Sequence, residues 1–263
     1  MAAGAERSVV NPRSQYPEGP VVDRRDVFYA EMGSDRVMRW DGSGNSAVWS
    51  CPGCGPTSVA LGTNGSLVVL CDIEQVLVRV DKAGRMLEVI DRDSSGRRFL
   101  TPNASINDAK GGIYWSASGL FSPTAPAQGG VLYLAPDGKL TRLADGIHYS
   151  NGVALSPDGK VLYVSEHLSR RILAYDVADD GSLSGTRVFL RLDDVVGKDP
   201  TRGWEVGPDA KLKAIVGFPQ QFTTAVALMD DDRKLFVTAP ASYLDPKAYG
   251  AVYLVDNPLP ATN

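Results

Sequence analysis

The chain has 263 residues, and its 27 glycines and 17 prolines suit a turn-rich β protein. A formal net charge of −4, without any basic stripe, argues against a nucleic-acid or membrane surface as the partner. No apolar run approaches the roughly 20 residues of a membrane span, and no signal peptide is visible. We therefore expect a cytoplasmic protein, with a secreted or periplasmic one open if a leader was removed.

The first third of the chain predicts an arm followed by two small sheets. Residues 1–16 predict an extended arm that supplies the last strand of a closing sheet and so removes an exposed edge. Residues 16–49 have the short β-branched and aromatic runs of a first blade. Residues 55–91 predict a second blade, with Val76–Val80 and Met86–Ile90 as its outer strands.

Two of the three cysteines form a C-x-x-C sequence, Cys51-Pro52-Gly53-Cys54, between these blades, and Cys71 falls in a predicted strand. A zinc site would need a second pair of ligands, and a redox site would need a βαβ context. The motif therefore predicts loop thiols or a local disulfide, and a disulfide would favour an oxidising compartment.

The triplet Val-Ala-Leu recurs at Val59, Val153 and Val226, each time followed by a turn and a second strand. The Ser156-Pro157-Asp158-Gly159 turn is the strongest of these signals. Blade three (101–144) carries a long insertion, 119–130, which is either a lid or a passive loop. Blade four covers 150–192, blade six 223–256 with an insertion at 240–250, and the tail 257–263 is expected to fray.

A repeat of roughly 40–50 residues built from four short strands is typical of a propeller blade. Asn103 and Asn151, at equivalent positions of consecutive blades, are 48 residues apart. Val153 and Val226, two blades apart, are separated by only 73 residues, where two full blades need about 94. The predicted fold is one all-β domain, 1–263, a six-bladed β-propeller whose fifth blade is truncated. Exposed strand edges there would favour pairing, so a monomer and a homo-oligomer both stay open.

One position of the repeat carries oxygen-bearing side chains in every blade. The residues two positions before each triplet or its equivalent are Thr57, Asn103, Asn151 and Thr224, and Glu18 holds this position in blade one. Adding the 48-residue repeat length to position 151 places Asp199 at the same position in blade five. Carboxylates and amides suit Ca²⁺, Mg²⁺ or Mn²⁺ better than Zn²⁺. The alternative is that these polar residues are merely solvated or cap turns.

The same segments resemble the SMP-30/gluconolactonase/regucalcin-like family, especially its Drp35-like lactonase branch. The resemblance rests on Glu18-Gly19-Pro20, Thr101-Pro102-Asn103, Ser150-Asn151-Gly152, the strand that begins at Gly129, and the Ser-Pro-Asp-Gly turn with its following strand. Members are six-bladed propellers with one divalent cation, so the resemblance implies a small-molecule substrate, a lactone or ester.

The resemblance also implies residue roles. Glu18, Asn151 and Asp199 would bind the cation, Ca²⁺ first, with Mg²⁺, Mn²⁺ or Zn²⁺ as alternatives. Asp199 would be the general base, and Asn103 would contact substrate or metal. Two departures weaken the match: Ala104 replaces an acid, and the strands after Asp199 are missing, so that Asp193 or Asp194 is an alternative base.

The remaining candidates are weaker. Thr57, Thr224 and His148 are assigned to substrate binding, although a bond from His148 to a backbone carbonyl is the structural alternative. No G-x-S-x-G sequence occurs, which argues against a serine hydrolase. Besides a metal-dependent lactonase, two functions stay open: a repurposed isomerase, cyclase or accessory enzyme, and a non-enzymatic binding propeller.

Overall fold

The computed structural model describes residues 6–195, 202–206, 212–220, 222–229 and 232–259. They form β-sheet almost throughout, because short β-branched and aromatic runs alternate with turn residues along the whole chain. Five sheets have four antiparallel strands and one has two. Within the described residues, no helix is long and apolar enough to cross a membrane.

The strands follow the predicted blades in chain order. The arm forms β1 (Arg7–Gln15). Blade one comprises β2 (Pro17–Asp23), β3 (Asp26–Glu31), β4 (Arg36–Trp40) and β5 (Asn45–Ser50). Blade two comprises β6 (Pro56–Leu61), β7 (Leu67–Cys71), β8 (Val76–Val80) and β9 (Met86–Ile90).

Blade three comprises β10 (Pro102–Asn107), β11 (Ile113–Ala117), β12 (Gly129–Leu134) and β13 (Leu140–Ile147). Blade four comprises β14 (Ser150–Leu155), β15 (Val161–Glu166), β16 (Arg171–Val177) and β17 (Leu183–Arg191), and a single helical turn, α1 (Leu192–Val195), follows it. Gly159 closes the Ser156 turn at φ +70° and donates its backbone N–H to the Ser156 carbonyl, as the sequence predicts.

A two-stranded sheet, β18 (Arg202–Val206) and β19 (Leu212–Gly217), occupies the segment expected to hold blade five. The last sheet consists of β20 (Ala225–Met229), β21 (Lys234–Ala239), β22 (Tyr249–Asp256) and the arm strand β1, in that order. The arm strand β1 thus supplies the outer strand of this sheet, with Arg7 opposite Val255 and Gln15 opposite Tyr249, while closure of a ring by the arm stays a prediction.

The described residues fall into two compact units. Unit one contains the described parts of 1–59 and 195–263, and unit two contains residues 60–194. In unit one, part of the core lies between the last sheet and blade one: Phe236 packs on Tyr29 and Trp40, with centroids 5.7 Å apart in both pairs. In unit two, Phe99 meets Trp115 edge-on at 4.8 Å. Each such fully buried ring contributes about 1.5–3 kcal/mol.

The cysteines differ from the sequence prediction in one respect. Cys54 and Cys71 are disulfide-bonded and Cys51 is a half-buried free thiol. A local Cys51–Cys54 disulfide was therefore the wrong prediction, although Cys51 does remain a thiol. The error arose because the pairing was inferred from closeness in sequence, whereas Cys71 ends strand β7.

Candidate functional site

A sharp backbone corner precedes the innermost strand of four blades. Its central residues are Tyr16 (φ +48°), Gly55 (+58°), Thr101 (+43°) and Tyr149 (+62°). Each lies two positions before a predicted site residue: Glu18, Thr57, Asn103 and Asn151, respectively. The structure thus supports the repeat alignment, because one backbone conformation recurs at the same position in four blades.

Three of these corners adopt a left-handed conformation without glycine, which is uncommon and costs of order 1–3 kcal/mol each. The hydrogen bonds around the corners oppose this strain. The backbone N–H groups of Met32, Ser118 and His167 donate to the carbonyls of Tyr16, Thr101 and Tyr149 at 2.9–3.0 Å. The donors immediately follow the second strand of each blade, so every corner is held by its own sheet.

In unit one the structure brings together three of the predicted residues. Glu18 is half-buried on β2, and the backbone N–H of Gly19 donates to its carboxylate at 3.3 Å. Thr224, just before β20, donates its hydroxyl to the Pro17 carbonyl at 2.7 Å. Gly19 also lies against the buried Thr57, since a Cβ on Gly19 would come within 2.5 Å of the Thr57 carbonyl oxygen.

In unit two, Asn103 and Asn151 are half-buried near the starts of β10 and β14, which lie side by side. Ser118 links these two strand starts. Its backbone N–H donates to the Thr101 carbonyl at 2.9 Å, and its hydroxyl donates to the Ser150 carbonyl at 2.6 Å. Both asparagines therefore stand at the same edge of neighbouring sheets.

His148 is half-buried, and its Nε2 lies 3.2 Å from the backbone carbonyl of Ser122 in the blade-three insertion. This contact matches the structural alternative weighed from the sequence. A role for His148 in substrate binding stays a prediction. The insertion is not an isolated excursion, because it is attached here to the connection that leads to Asn151.

Asp199 lies outside the described residues, so its predicted roles as ligand and base stay predictions. Of its two alternatives, Asp193 lies in α1 and accepts a hydrogen bond from Arg170 at 2.7 Å. Asp194 is exposed on the same helical turn.

A carboxylate that sequence reasoning missed holds the Asn151 corner in place. Glu166 ends β15 with a side chain only 4% exposed, and it accepts a hydrogen bond from the backbone N–H of His148 at 2.9 Å. Burial alone would raise the pKa of Glu166, but the hydrogen bonds from Arg171, His148 and Ser169 outweigh burial and lower it. Glu166 is therefore ionised near neutral pH.

The same device recurs in blade one. Glu31 is fully buried and accepts hydrogen bonds from Ser34 at 2.8 Å, Arg36 at 2.6 Å and Ser14 of the arm at 2.6 Å. The sequences 31–36 and 166–171 share the pattern Glu-x-x-Ser-x-Arg, which can be read from the amino-acid sequence alone. The pattern alone does not indicate buried carboxylates, because charged residues at strand ends are usually solvated.

Asp72 is a third carboxylate that the sequence did not single out. It directly follows β7 and is half-buried, and burial raises its pKa to about 6. Such a group exchanges its proton near neutral pH, which is the property that general acids and bases need.

The donor set suits a hard cation without showing one. Glu18 supplies a carboxylate, and Asn103 and Asn151 supply amide oxygens, the ligand types that Ca²⁺ and Mg²⁺ prefer. Among the described residues, no group of three or more His, Cys, Asp or Glu side chains is arranged to hold a metal. A metal site built from these residues therefore stays a prediction.

Comparison with known proteins gives the chain's relationships. The family model for the SMP-30/Gluconolactonase/LRE-like region matches residues 16–209. The chain belongs to this family. Curated relatives include a gluconolactonase of Zymomonas mobilis, 26% identical over 67% of this chain and 56% of the relative. Lactonase drp35 of Staphylococcus haemolyticus is 30% identical over 62% and 52%, and bovine regucalcin is 26% identical over 67% and 60%.

This family member spans only 52–60% of the length of these relatives in the matched regions. Solved structures match more fully. A gluconolactonase from Xanthomonas campestris has a TM-score of 0.79 at 23% identity, covering 96% of this chain and 89% of its own. A calcium-binding protein, regucalcin, from Agrobacterium tumefaciens has 0.78 at 17% identity, covering 96% and 93%. The fold is that of an all-β propeller.

Proposed function

We propose that the protein hydrolyses a lactone, a cyclic ester, with the help of one divalent cation. The observation that carries this proposal is the recurring left-handed corner, which sets Glu18, Asn103 and Asn151 at the same repeat position of blades one, three and four. Membership of a family with curated relatives named gluconolactonase and lactonase supports the reaction class.

Glu18, Asn151 and Asp199 are the proposed ligands, with Ca²⁺ as the first candidate and Mg²⁺, Mn²⁺ or Zn²⁺ as alternatives. A bound divalent cation supplies Lewis acidity to a carbonyl oxygen and lowers the pKa of water. Amide and carboxylate oxygens on separate strands leave room in such a shell for water and substrate. The donor chemistry of the described residues fits this assignment.

Side chains of the protein would transfer the proton and orient the substrate. Asp199 is proposed to take a proton from the attacking water, a step that typically contributes 10²–10⁴-fold. The Asn103 amide would donate to the substrate and orient it, with Thr57 and Thr224 at the same repeat position. The rigid corners matter here, because a misplacement of about 1 Å can cost roughly 10²-fold in rate.

The proposed architecture behind this function is a six-bladed ring in one domain, in which β18 and β19 are the remainder of a shortened fifth blade. That pair of strands, in place of a four-stranded sheet, is the observation that favours it. A six-bladed ring would give each proposed ligand its own blade.

The test combines elemental analysis with a panel of lactones and aryl esters, each assayed with and without a chelator. We expect one bound divalent cation, lactone turnover that the chelator abolishes, and loss of both in Glu18→Gln. Glu88→Gln, a half-exposed carboxylate on β9, is the matched control and should retain both.

Other results would refute the proposal. A bound cation without lactone turnover would support the repurposed isomerase or cyclase. The absence of both a bound cation and lactone turnover would support the non-enzymatic binding propeller.

A further inference from the structure

Three aromatic side chains from different segments of unit two meet next to the Asn151 corner. Phe121 belongs to the blade-three insertion, Tyr149 is the corner residue itself, and His167 begins the hairpin turn after β15. The ring centroids of Phe121 and Tyr149 are 4.9 Å apart, those of Phe121 and His167 5.7 Å, and those of Tyr149 and His167 5.9 Å. We call Phe121, Tyr149 and His167 the aromatic wall.

The wall exists because blade three replaces a short turn with a long loop. The turns between second and third strands cover 32–35, 72–75 and 167–170 in blades one, two and four, whereas residues 118–128 connect β11 to β12. Hydrogen bonds fix this loop at its base. Thr101 Oγ1 accepts from the Gly119 N–H at 2.7 Å and donates to the Gly119 carbonyl at 3.2 Å.

The loop is also fixed near Phe121, since the Ser122 carbonyl contacts His148. Phe121 nevertheless stays 48% exposed although it makes two ring contacts. An aromatic ring held by its neighbours, with half of its surface in water, provides a ready apolar contact.

The polar groups around the wall are largely paired with one another. Ser122 Oγ lies 3.2 Å from Thr124 Oγ1, and the Tyr149 carbonyl accepts the His167 N–H. Although part of the His167 side chain reaches solvent, burial and the nearby Arg170 lower its pKa, so the ring is neutral at neutral pH. The wall therefore offers ring surface rather than charge.

From this geometry we infer that the aromatic wall selects lactones that carry an alkyl or aryl substituent over polyhydroxylated sugar lactones. The inference rests on the proposed function, because it places the lactone ring at Asn151 and its substituent against Phe121. An apolar substituent gains from burial on the rings, whereas sugar hydroxyls would need free hydrogen-bonding partners.

The test compares Phe121→Ala with wild type on γ-butyrolactone, γ-octalactone and glucono-1,5-lactone. We expect kcat/KM for γ-octalactone to fall about tenfold, mainly through KM, because roughly 50 Å² of apolar contact is lost. The other two lactones should change less than about twofold. Leu120→Ala is the matched control, since Leu120 is the exposed neighbour of Phe121, and it should leave all three substrates unaffected.

A binding measurement separates this inference from the proposed function. The lactam analogue of γ-octalactone, 5-butyl-2-pyrrolidinone, cannot be hydrolysed readily and is titrated by calorimetry. About tenfold weaker binding to Phe121→Ala would support the wall even if wild type hydrolysed no lactone. Equal binding to both proteins, or an equal loss of activity on all three lactones, would overturn the inference.

Discussion

Replacing Glu166 with glutamine tests whether one buried charge holds the Asn151 corner. The carboxylate forms an ion pair with Arg171 and accepts a hydrogen bond from the backbone N–H of His148. The Arg171 side chain is 32% exposed. A hydrogen bond to a charged group contributes about 1.5–3 kcal/mol, and a neutral one about 0.5–1.5 kcal/mol. Since Arg171 can regain water at its exposed end, we expect Glu166→Gln to cost about 2 kcal/mol, roughly 4–8 °C in Tm.

Urea unfolding followed by tryptophan fluorescence at pH 7 measures this cost. Because the folded-state pKa of Glu166 is lowered, its charge stabilises the fold above the ordinary carboxyl pKa. That contribution is lost as pH falls through the lowered value, so the difference between wild type and Glu166→Gln should shrink in acid.

Glu88→Gln is the control, because Glu88 is 48% exposed and pairs with Arg79 at 3.2 Å. A surface pair of this kind should cost no more than about 1 kcal/mol. The reasoning fails if Glu166→Gln loses no more stability than this control, or if its deficit is unchanged at low pH.

Three further outcomes follow from unit one and the cysteines. Glu31→Gln should speed tryptic cleavage after Arg13, because Glu31 anchors the arm through Ser14; gel analysis of a time course measures it. Gly19→Ala should cost about 3 kcal/mol or more in denaturant unfolding, since its Cβ would lie 2.4 Å from the Ser58 Cα at φ +31°. Thiol titration of the denatured, unreduced protein should find one thiol, Cys51, and three after reduction.

Each of these has a clear contrary result. Unchanged cleavage in Glu31→Gln would mean that the arm is held by strand pairing alone. Gly42→Ala is the control for Gly19, because Gly42 also has a positive φ but faces open space; equal costs at both positions would refute the crowding argument. Three thiols before reduction would mean that the disulfide does not form.

The strands themselves were largely predictable from sequence. The outer strands of blade two, β8 and β9, have the predicted bounds, and the three Val-Ala-Leu triplets lie in the innermost strands β6, β14 and β20. The reason is that period, turn chemistry and β-branched runs are local signals that agree with one another here. The arm was also predictable, because an open sheet edge needs a partner.

The candidate site was predictable in part, through the repeat position of its residues. Aligning blades by the triplets selected Thr57, Asn103 and Asn151, and the recurring corner supports that choice. Side-chain partners were not predictable, because they depend on burial and on residues distant in sequence. Glu166 was missed on this account.

The aromatic wall was missed for a related reason. Phe121, Tyr149 and His167 belong to three segments, and only folding shows that the loop returns to the corner. The sequence does show the insertion, but its composition does not distinguish a functional loop from a passive one.

The arm strand β1 has a consequence for synthesis as well as for structure. Strand β1 is synthesised long before its partner β22, and the Gln15 side chain donates a hydrogen bond to the Lys247 carbonyl across 232 residues of chain. Forming so distant a contact costs chain entropy and slows folding. The nascent chain must therefore hold β1 unpaired until β22 has been synthesised, and chaperones would meet it in that state.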